Sequence, residues 1–323
     1  MKSAFFLMLF CIPLISFAQI SLGIKGQTIK KISDNKIEIG TPVELLGVVK
    51  NEINGNSILL KVNDRNYLID YSDLEKITLT PSNIKEFWQK QALQYSVYSN
   101  VVNIGIQYKL RKELEEEALD YLTQIESSNL VFNDSYLESY LYTVVNKIYP
   151  FKLDDGRPGI VNLKILKDIN PNSFIFPNGS LVITTGLLST INSEDELVGI
   201  LAHEISHFVL DHQISNVNKA VQRQKRAEFW ATVATGLAAA ADIYIASKNR
   251  YYTPGILTMN TAILAYSISE SVNDRLGLKY SVEQEFEADK CAFELMNFIK
   301  IDPKAISSAL KKIVNIQSQF FHI

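Results

Sequence analysis

The residues whose types and spacing most directly predict chemistry form one short motif. Residues 203–207 read His-Glu-Ile-Ser-His, so His203 and His207 lie four positions apart. On a helix this spacing projects both imidazoles from one face, where they can bind a single metal ion. Glu204 then lies beside the open coordination position and is suited to act as a general base. The motif therefore predicts zinc, one ion per chain, with Glu204 as the catalytic residue.

A third protein ligand must come from elsewhere in the chain, because a catalytic zinc ion uses three protein ligands and leaves one position for water. The metzincin pattern would place glycine at 210 and histidine at 213, but the chain has Leu210 and Gln213, which excludes that class. His212 is five positions after His207, roughly 140° further round a continuous helix. We therefore expect His212 to be a polar residue near the helix C-terminus.

A second helix downstream offers the missing ligand. A buried stripe at helical spacing is predicted for Ala288, Ala292, Leu295, Met296 and Ile299. Extended backwards, this stripe reaches Glu285, whereas Glu283 and Glu287 fall on the solvent face. A carboxylate on a core-facing stripe is costly unless it is paired or binds a metal, so Glu285 is the predicted third ligand. Asp289, one turn later, is placed to accept a hydrogen bond from a ligating histidine.

Hydrophobic periodicity predicts the helices that carry these residues. Ser193 with Glu196 predicts a capping box, followed by apolar residues at helical spacing: Leu197, Ile200, Leu201, Ile205 and Phe208. Ser281 with Gln284 predicts a second capping box at the start of the downstream helix. A further helix is predicted over Ser135–Ile148.

Strand patterns occur in two regions. From Ile20 to Thr80, β-branched residues at strand spacing are broken by turn signals at 54–55 and 63–64, which predicts a small β module. Three short strands are predicted over 161–165, Ser173–Phe176 and Leu181–Thr184. The predicted fold class is α+β, a helix-rich domain (81–323) with a small β-sheet, preceded by a small all-β module (19–80).

The N-terminus has the pattern of a secretory signal peptide over residues 1–18. Lys2 precedes an apolar run, Ala4–Ile15, and small residues end the segment at Ala18. A membrane anchor is the alternative, but the run is shorter than the roughly 20 residues that a span needs. We expect export to the periplasm or extracellular space. Cleavage leaves Cys291 as the one cysteine, which excludes an internal disulfide.

Charge and hydropathy limit the partners. The chain has 32 Lys and Arg against 35 Asp and Glu, a net charge of −3, so we expect no nucleic-acid partner. Two apolar stretches, Phe229–Ser247 and Ile256–Ile268, fit either a buried or lid-forming helical hairpin or a peripheral membrane contact. His322 is either solvent-exposed or lines the site.

Four segments resemble the gluzincin metallopeptidases of the HtpX, BepA, LoiP and Oma type. The segments are 172–188, Ser193–His207, the Glu-Phe-Glu-Ala-Asp sequence at 285–289, and 301–305. The sequence departs from the family at Val282, where an arginine is usual. The resemblance implies a zincin-like metallopeptidase domain with one zinc ion, whose ligands are His203, His207 and Glu285, with Glu204 as base and Asp289 as a supporting residue.

These observations predict a zinc metalloendopeptidase acting on unfolded or flexible protein segments, in envelope protein quality control. The substrate would lie along an edge strand formed by Ser173, Phe174, Ile175 and Phe176. Tyr280, Tyr251 and Tyr252 are candidates for a second electrophile. The alternative is a zinc-stabilised holdase or assembly factor with little turnover. A third hypothesis assigns the main role to the β module, which would dock the chain on an unknown partner.

Overall fold

The computed structural model describes residues 18–32, 37–51, 55–95, 97, 106–160, 162–220 and 278–320. The chain divides into two compact units, Met1–Thr78 and Leu79–Ile323. Several predictions lie outside the described residues: the signal peptide up to Phe17, the apolar stretches within 229–268, the tyrosines Tyr251 and Tyr252, and His322.

The first unit is built on a five-stranded sheet. Its strands are β1 (Ala18–Thr28), β2 (Pro42–Asn51), β3 (Gly55–Val62), β4 (Arg65–Asp70) and β5 (Ile77–Leu79), in the order β4-β3-β2-β1-β5. The first four strands pair antiparallel with their sequence neighbours. Asn63 and Asp64 both have positive φ in the β3–β4 turn, as two-residue hairpins require. Fully buried aliphatic residues form its core: Ile24, Leu45, Val48, Ile58 and Leu60.

The second unit is mainly helical. Its helices are α1 (Ile84–Gln94), α2 (Ile106–Ser127), α3 (Ser135–Ile148), α4 (Thr185–Thr190), α5 (Glu194–Val209), α6 (Val282–Phe298) and α7 (Lys304–Phe320). Residues 212–220 are also helical. No helix among the described ranges combines the length and hydrophobicity that crossing a bilayer requires. The chain is therefore α+β, with an all-β N-terminal sheet, as the sequence predicted.

A three-stranded sheet lies beside α5. Its strands β6 (Asn162–Leu166), β7 (Ser173–Ile175) and β8 (Ser180–Thr184) have the order β6-β8-β7, with β6 parallel and β7 antiparallel to β8. Every residue of β8 is buried, while β7 is an edge strand of this sheet. Gly179 has φ +79° in the β7–β8 turn, and a Cβ there would lie 2.3 Å from the Gly159 carbonyl oxygen.

The two predicted capping boxes have different outcomes. At α6 the box is complete, with Ser281 and Gln284 bonding reciprocally. At α5 the Ser193 hydroxyl accepts from the Glu196 N–H, but the Glu196 carboxylate accepts from Asn192 N–H instead of closing the box. The same carboxylate binds Lys312 on α7, so Glu196 ties α5 to α7 as well as capping it.

Candidate metal centre

Helices α5 and α6 bring the three predicted ligands together. Nε2 of His203 and Nε2 of His207 lie 3.0 Å apart, and Oε2 of Glu285 lies 3.2 Å from the first and 3.7 Å from the second. Ligand atoms 2.0–2.1 Å from a tetrahedral ion lie about 3.3 Å from one another. The donor set and its spacing therefore fit one zinc ion.

Glu285 lies at the edge of the buried stripe of α6 and not within it. Its side chain is 48% exposed, whereas Ala288, Cys291 and Ala292 are buried. The sequence argument assumed that Glu285 faces the core, and this assumption was wrong. The side chain nevertheless faces both histidines. The hydrogen bond from His203 and the proximity of His207 lower the pKa of Glu285, so the carboxylate is held in its ionised form.

His203 is fixed on its far side by Asp289. The Nδ1–H of His203 donates to Oδ1 of Asp289 at 2.9 Å, which leaves Nε2 directed toward Glu285. Burial alone would lower the pKa of His203, but the bonds to Asp289 and Glu285 outweigh it and raise the pKa to about 10. For His207, burial dominates and lowers the pKa to about 4, so this imidazole is neutral.

Glu204 is directed to the same region from the next position of α5. Burial raises the pKa of Glu204 to about 7, against the opposing effect of the positive charge on His203. The Ser173 hydroxyl of β7 donates a long bond, 3.4 Å, to Oε1 of Glu204. A carboxylate with a pKa near neutrality is suited to accept and return a proton at physiological pH.

His212 lies just beyond the C-terminus of α5, as expected, but the predicted separation of its side chain from His207 was wrong, because α5 ends earlier than a continuous helix would. The helix stops at Val209, and Asp211 adopts φ +58°, so the chain turns before helical residues 212–220 begin. This turn brings Nδ1 of His212 to 2.8 Å from Nδ1 of His207. On its other side, Nε2 of His212 lies 3.2 Å from Oε2 of Glu287, which the sequence had placed on the solvent face.

Buried arginines hold this turn. Arg111 of α2 forms an ion pair with Asp211, and both side chains are 2% exposed. The Arg157 guanidinium donates to the carbonyls of Phe208 (3.1 Å) and Val209 (2.8 Å) in the last turn of α5, where carbonyls have no N–H partner from a following helical turn. Neither arginine is near the motif in sequence, so periodicity gave no signal for them.

Tyr280 and Gln213 complete one wall of the site. The Tyr280 ring stacks on His207, with ring centroids 3.6 Å apart and planes 10° apart. The side-chain amide of Gln213 donates to the Tyr280 hydroxyl (3.1 Å) and to the Ile175 carbonyl (2.6 Å). Tyr280 was a candidate from its chemistry alone. Gln213 was missed as a site residue, because its contacts depend on the turn after α5.

The four residues of the predicted substrate strand differ in whether their backbone groups face β8 or point away from it. Phe176 is fully buried, and Phe174 packs against the same hydrophobic cluster, which includes residues of α2. The Asn172 carbonyl and the Phe176 N–H bond to residues at the two ends of β8. Since backbone groups alternate along a strand, those of Ser173 and Ile175 point away from β8. The Ile175 carbonyl is the group that Gln213 binds.

Comparison with known proteins gives a consistent set of relatives. The chain is 27% identical to the protease HtpX homolog of Dictyoglomus turgidum over 203 residues, 60% of this chain and 62% of that protein. It is 22% identical to the β-barrel assembly-enhancing protease of Escherichia coli K12 over 196 residues, 60% of this chain and 36% of that protein. It is 30% identical to the mitochondrial metalloendopeptidase OMA1 of Schizosaccharomyces pombe over 90 residues, 27% of each chain.

The chain thus spans less than two thirds of the length of each of these relatives. The family model described as peptidase family M48 matches residues 140–322, a region that contains α5, α6 and all the residues assembled around His203 and His207. Because this match covers more than half of the chain, the protein belongs to peptidase family M48.

Proposed function

We propose that this chain is an exported, zinc-dependent metalloendopeptidase that cleaves unfolded or flexible protein segments. The observation that carries the proposal is the convergence of three ligand atoms, from His203, His207 and Glu285, within 4.8 Å of one another beside the half-buried Glu204. A zinc-stabilised scaffold needs the three ligands but has no use for Glu204, a carboxylate beside them that zinc binding does not require. Its presence therefore favours catalysis over the holdase alternative.

The catalytic roles follow from the donor set. When bound, zinc supplies Lewis-acid chemistry that acidifies water and polarises the scissile carbonyl. Glu204 accepts a proton from the attacking water and returns it to the leaving amine nitrogen. Asp289 keeps the proton of His203 on Nδ1 and so keeps Nε2 available as a ligand.

The substrate would bind in extended form along β7. The outward-facing N–H and C=O of Ser173 and the N–H of Ile175 are the groups that could pair with a peptide backbone. Gln213 already binds the Ile175 carbonyl, so pairing would stop there. Backbone pairing of this kind requires an extended peptide, which favours unfolded or flexible segments over compact domains.

The proposed location is the periplasm or extracellular space, and the proposed role is quality control of envelope proteins. The support is the signal-like pattern of residues 1–18 and the similarity to a protease whose name refers to β-barrel assembly.

The first test compares wild type with Glu204→Gln on unfolded casein, with zinc content measured on both proteins. We expect cleavage to fall by roughly 10² to 10⁴-fold, the usual contribution of a general base, while zinc stays near one per chain. Glu283→Gln, a matched change of an exposed carboxylate on α6, should leave cleavage unchanged. Zinc in both proteins without cleavage by wild type would favour the holdase alternative, and no zinc in either would contradict the site.

A further inference from the structure

A chain of two side chains extends from His207 to the surface, and none of the catalytic roles above uses it. Nδ1 of His207 contacts Nδ1 of His212 at 2.8 Å, and Nε2 of His212 contacts Oε2 of Glu287 at 3.2 Å. The His207 and His212 side chains are 1% and 4% exposed, whereas Glu287 is 38% exposed. The chain thus connects a buried ligand to a partly hydrated carboxylate.

The hydrogen-bond directions are fixed once Nε2 of His207 is a ligand. A ligating imidazole nitrogen carries no proton, so neutral His207 keeps its proton on Nδ1 and donates it to His212. His212 can accept on Nδ1 only if its own proton is on Nε2, and that N–H then donates to Glu287. Every donor in the chain therefore meets an acceptor, and each imidazole is neutral.

The surroundings of His212 support this arrangement. The His212 side chain is only 4% exposed, and burial favours the neutral form of an imidazole. Tyr280 covers the face of His207, and the Gln284 amide donates to the His212 carbonyl at 3.4 Å. Each ligating histidine consequently has a carboxylate partner on α6. Asp289 contacts His203 directly, and Glu287 contacts His207 through His212.

We propose that His212 and Glu287 are positioning residues that hold His207 in the tautomer and orientation that binds the metal. The inference rests on the proposed zinc site but not on peptide cleavage. Neither residue is a ligand, and neither reaches the ligand atoms of the site. Their effect is on the orientation and basicity of His207, and so on the affinity of the site for zinc.

The test measures the zinc dissociation constant of the full chain by competition with a chromophoric chelator. His212→Phe keeps an aromatic ring but removes the acceptor, and we expect it to weaken zinc binding by about 10 to 100-fold. His212→Asn offers Oδ1 near the position of Nδ1, so it should lose less than His212→Phe. Glu287→Ala should weaken binding, whereas Glu283→Gln, a change of the exposed carboxylate one turn earlier on α6, should not.

A folded His212→Phe protein with wild-type zinc affinity would overturn the proposal. So would an Asn variant that loses as much affinity as the Phe variant, because that result indicates packing alone. If His212→Phe does not fold, the zinc affinity of Glu287→Ala tests the proposal instead. A Glu287→Ala protein that binds zinc as tightly as Glu283→Gln would contradict it. A wild-type chain that binds no zinc overturns the site and the inference together. Zinc binding without cleavage refutes only the peptidase, since the chelator measurement still stands.

Discussion

At the scale of single residues, the two histidines that we propose as zinc ligands experience opposite electrostatic environments. His203 lies between two carboxylates, and they raise its pKa to about 10 despite burial. His207 is buried against Tyr280 and His212, and its pKa falls to about 4. Zinc binds neutral imidazole, so His203 must release a proton on binding and His207 need not. The two carboxylates around His203 also compensate the positive charge of the ion.

This difference predicts the effect of Asp289→Asn. The amide can still accept the Nδ1–H of His203 but lacks the negative charge that increases the basicity of Nε2. We expect the zinc dissociation constant to rise roughly tenfold. The Asp289 side chain is 50% exposed, so folding should be unaffected. Chelator competition measures the change, and an affinity equal to that of wild type would show that Asp289 does not support His203.

At the scale of elements, the anchoring of α5 determines where its motif points. Arg157 binds the carbonyls at the C-terminal end of the helix, and Glu196 binds Lys312 of α7 near its N-terminal end. Gly199 lets α7 approach closely, since a Cβ there would lie 2.9 Å from Cβ of Ile306. The motif is therefore held by contacts near both ends of α5, as a preorganised site requires.

The Glu196 contact predicts a pH-dependent stability. Burial alone would raise the pKa of Glu196, but Lys312, the Asn192 N–H and Ser308 outweigh it and lower the pKa to about 2, against 4.5 for the unperturbed group. The contact therefore stabilises fully above pH 4.5, and its contribution is lost as the pH falls toward about 2. We expect Glu196→Gln to lower the free energy of unfolding at pH 7 by about 1–3 kcal/mol.

Urea unfolding at pH 7 and pH 3 provides the measurement, and the difference between wild type and Glu196→Gln should be smaller at pH 3. Glu194→Gln is the matched control, because its carboxylate pairs with Lys147 at the surface, where ion pairs contribute little. A difference that is equal at both pH values would show that the charge on Glu196 does not stabilise the fold.

The elements also show what the sequence could predict. Periodicity and capping residues predict three of the helices, α3, α5 and α6, and the three strands β6, β7 and β8. Their buried faces repeat at regular intervals along the sequence. The turn at Asp211 could not be predicted. Leu210 and Ile214 continue the apolar spacing of α5, and no glycine or proline interrupts it. Asp211, which has the positive φ, pairs with Arg111, and this ion pair spans 100 positions of the chain.

At the scale of the whole molecule, the chain divides into two compact units with separate cores. Every residue assigned a role in metal binding or catalysis belongs to Leu79–Ile323, and so do its supporting contacts. The first unit has its own buried aliphatic core, formed by residues of its five-stranded sheet. The two units therefore have the internal contacts that independent folding requires.

This division predicts that a chain beginning at Pro81, directly after β5, keeps the metal centre. We expect it to bind zinc with the affinity of the full chain and to cleave unfolded casein at a similar rate, because it retains α5, α6 and β7. Chelator competition and a casein assay on both chains provide the comparison, with Glu204→Gln in the shorter chain as the control for contaminating proteases. Loss of zinc would show that the second unit does not fold alone. Loss of cleavage with zinc retained would instead assign substrate capture to the β module, as the docking hypothesis for that module requires.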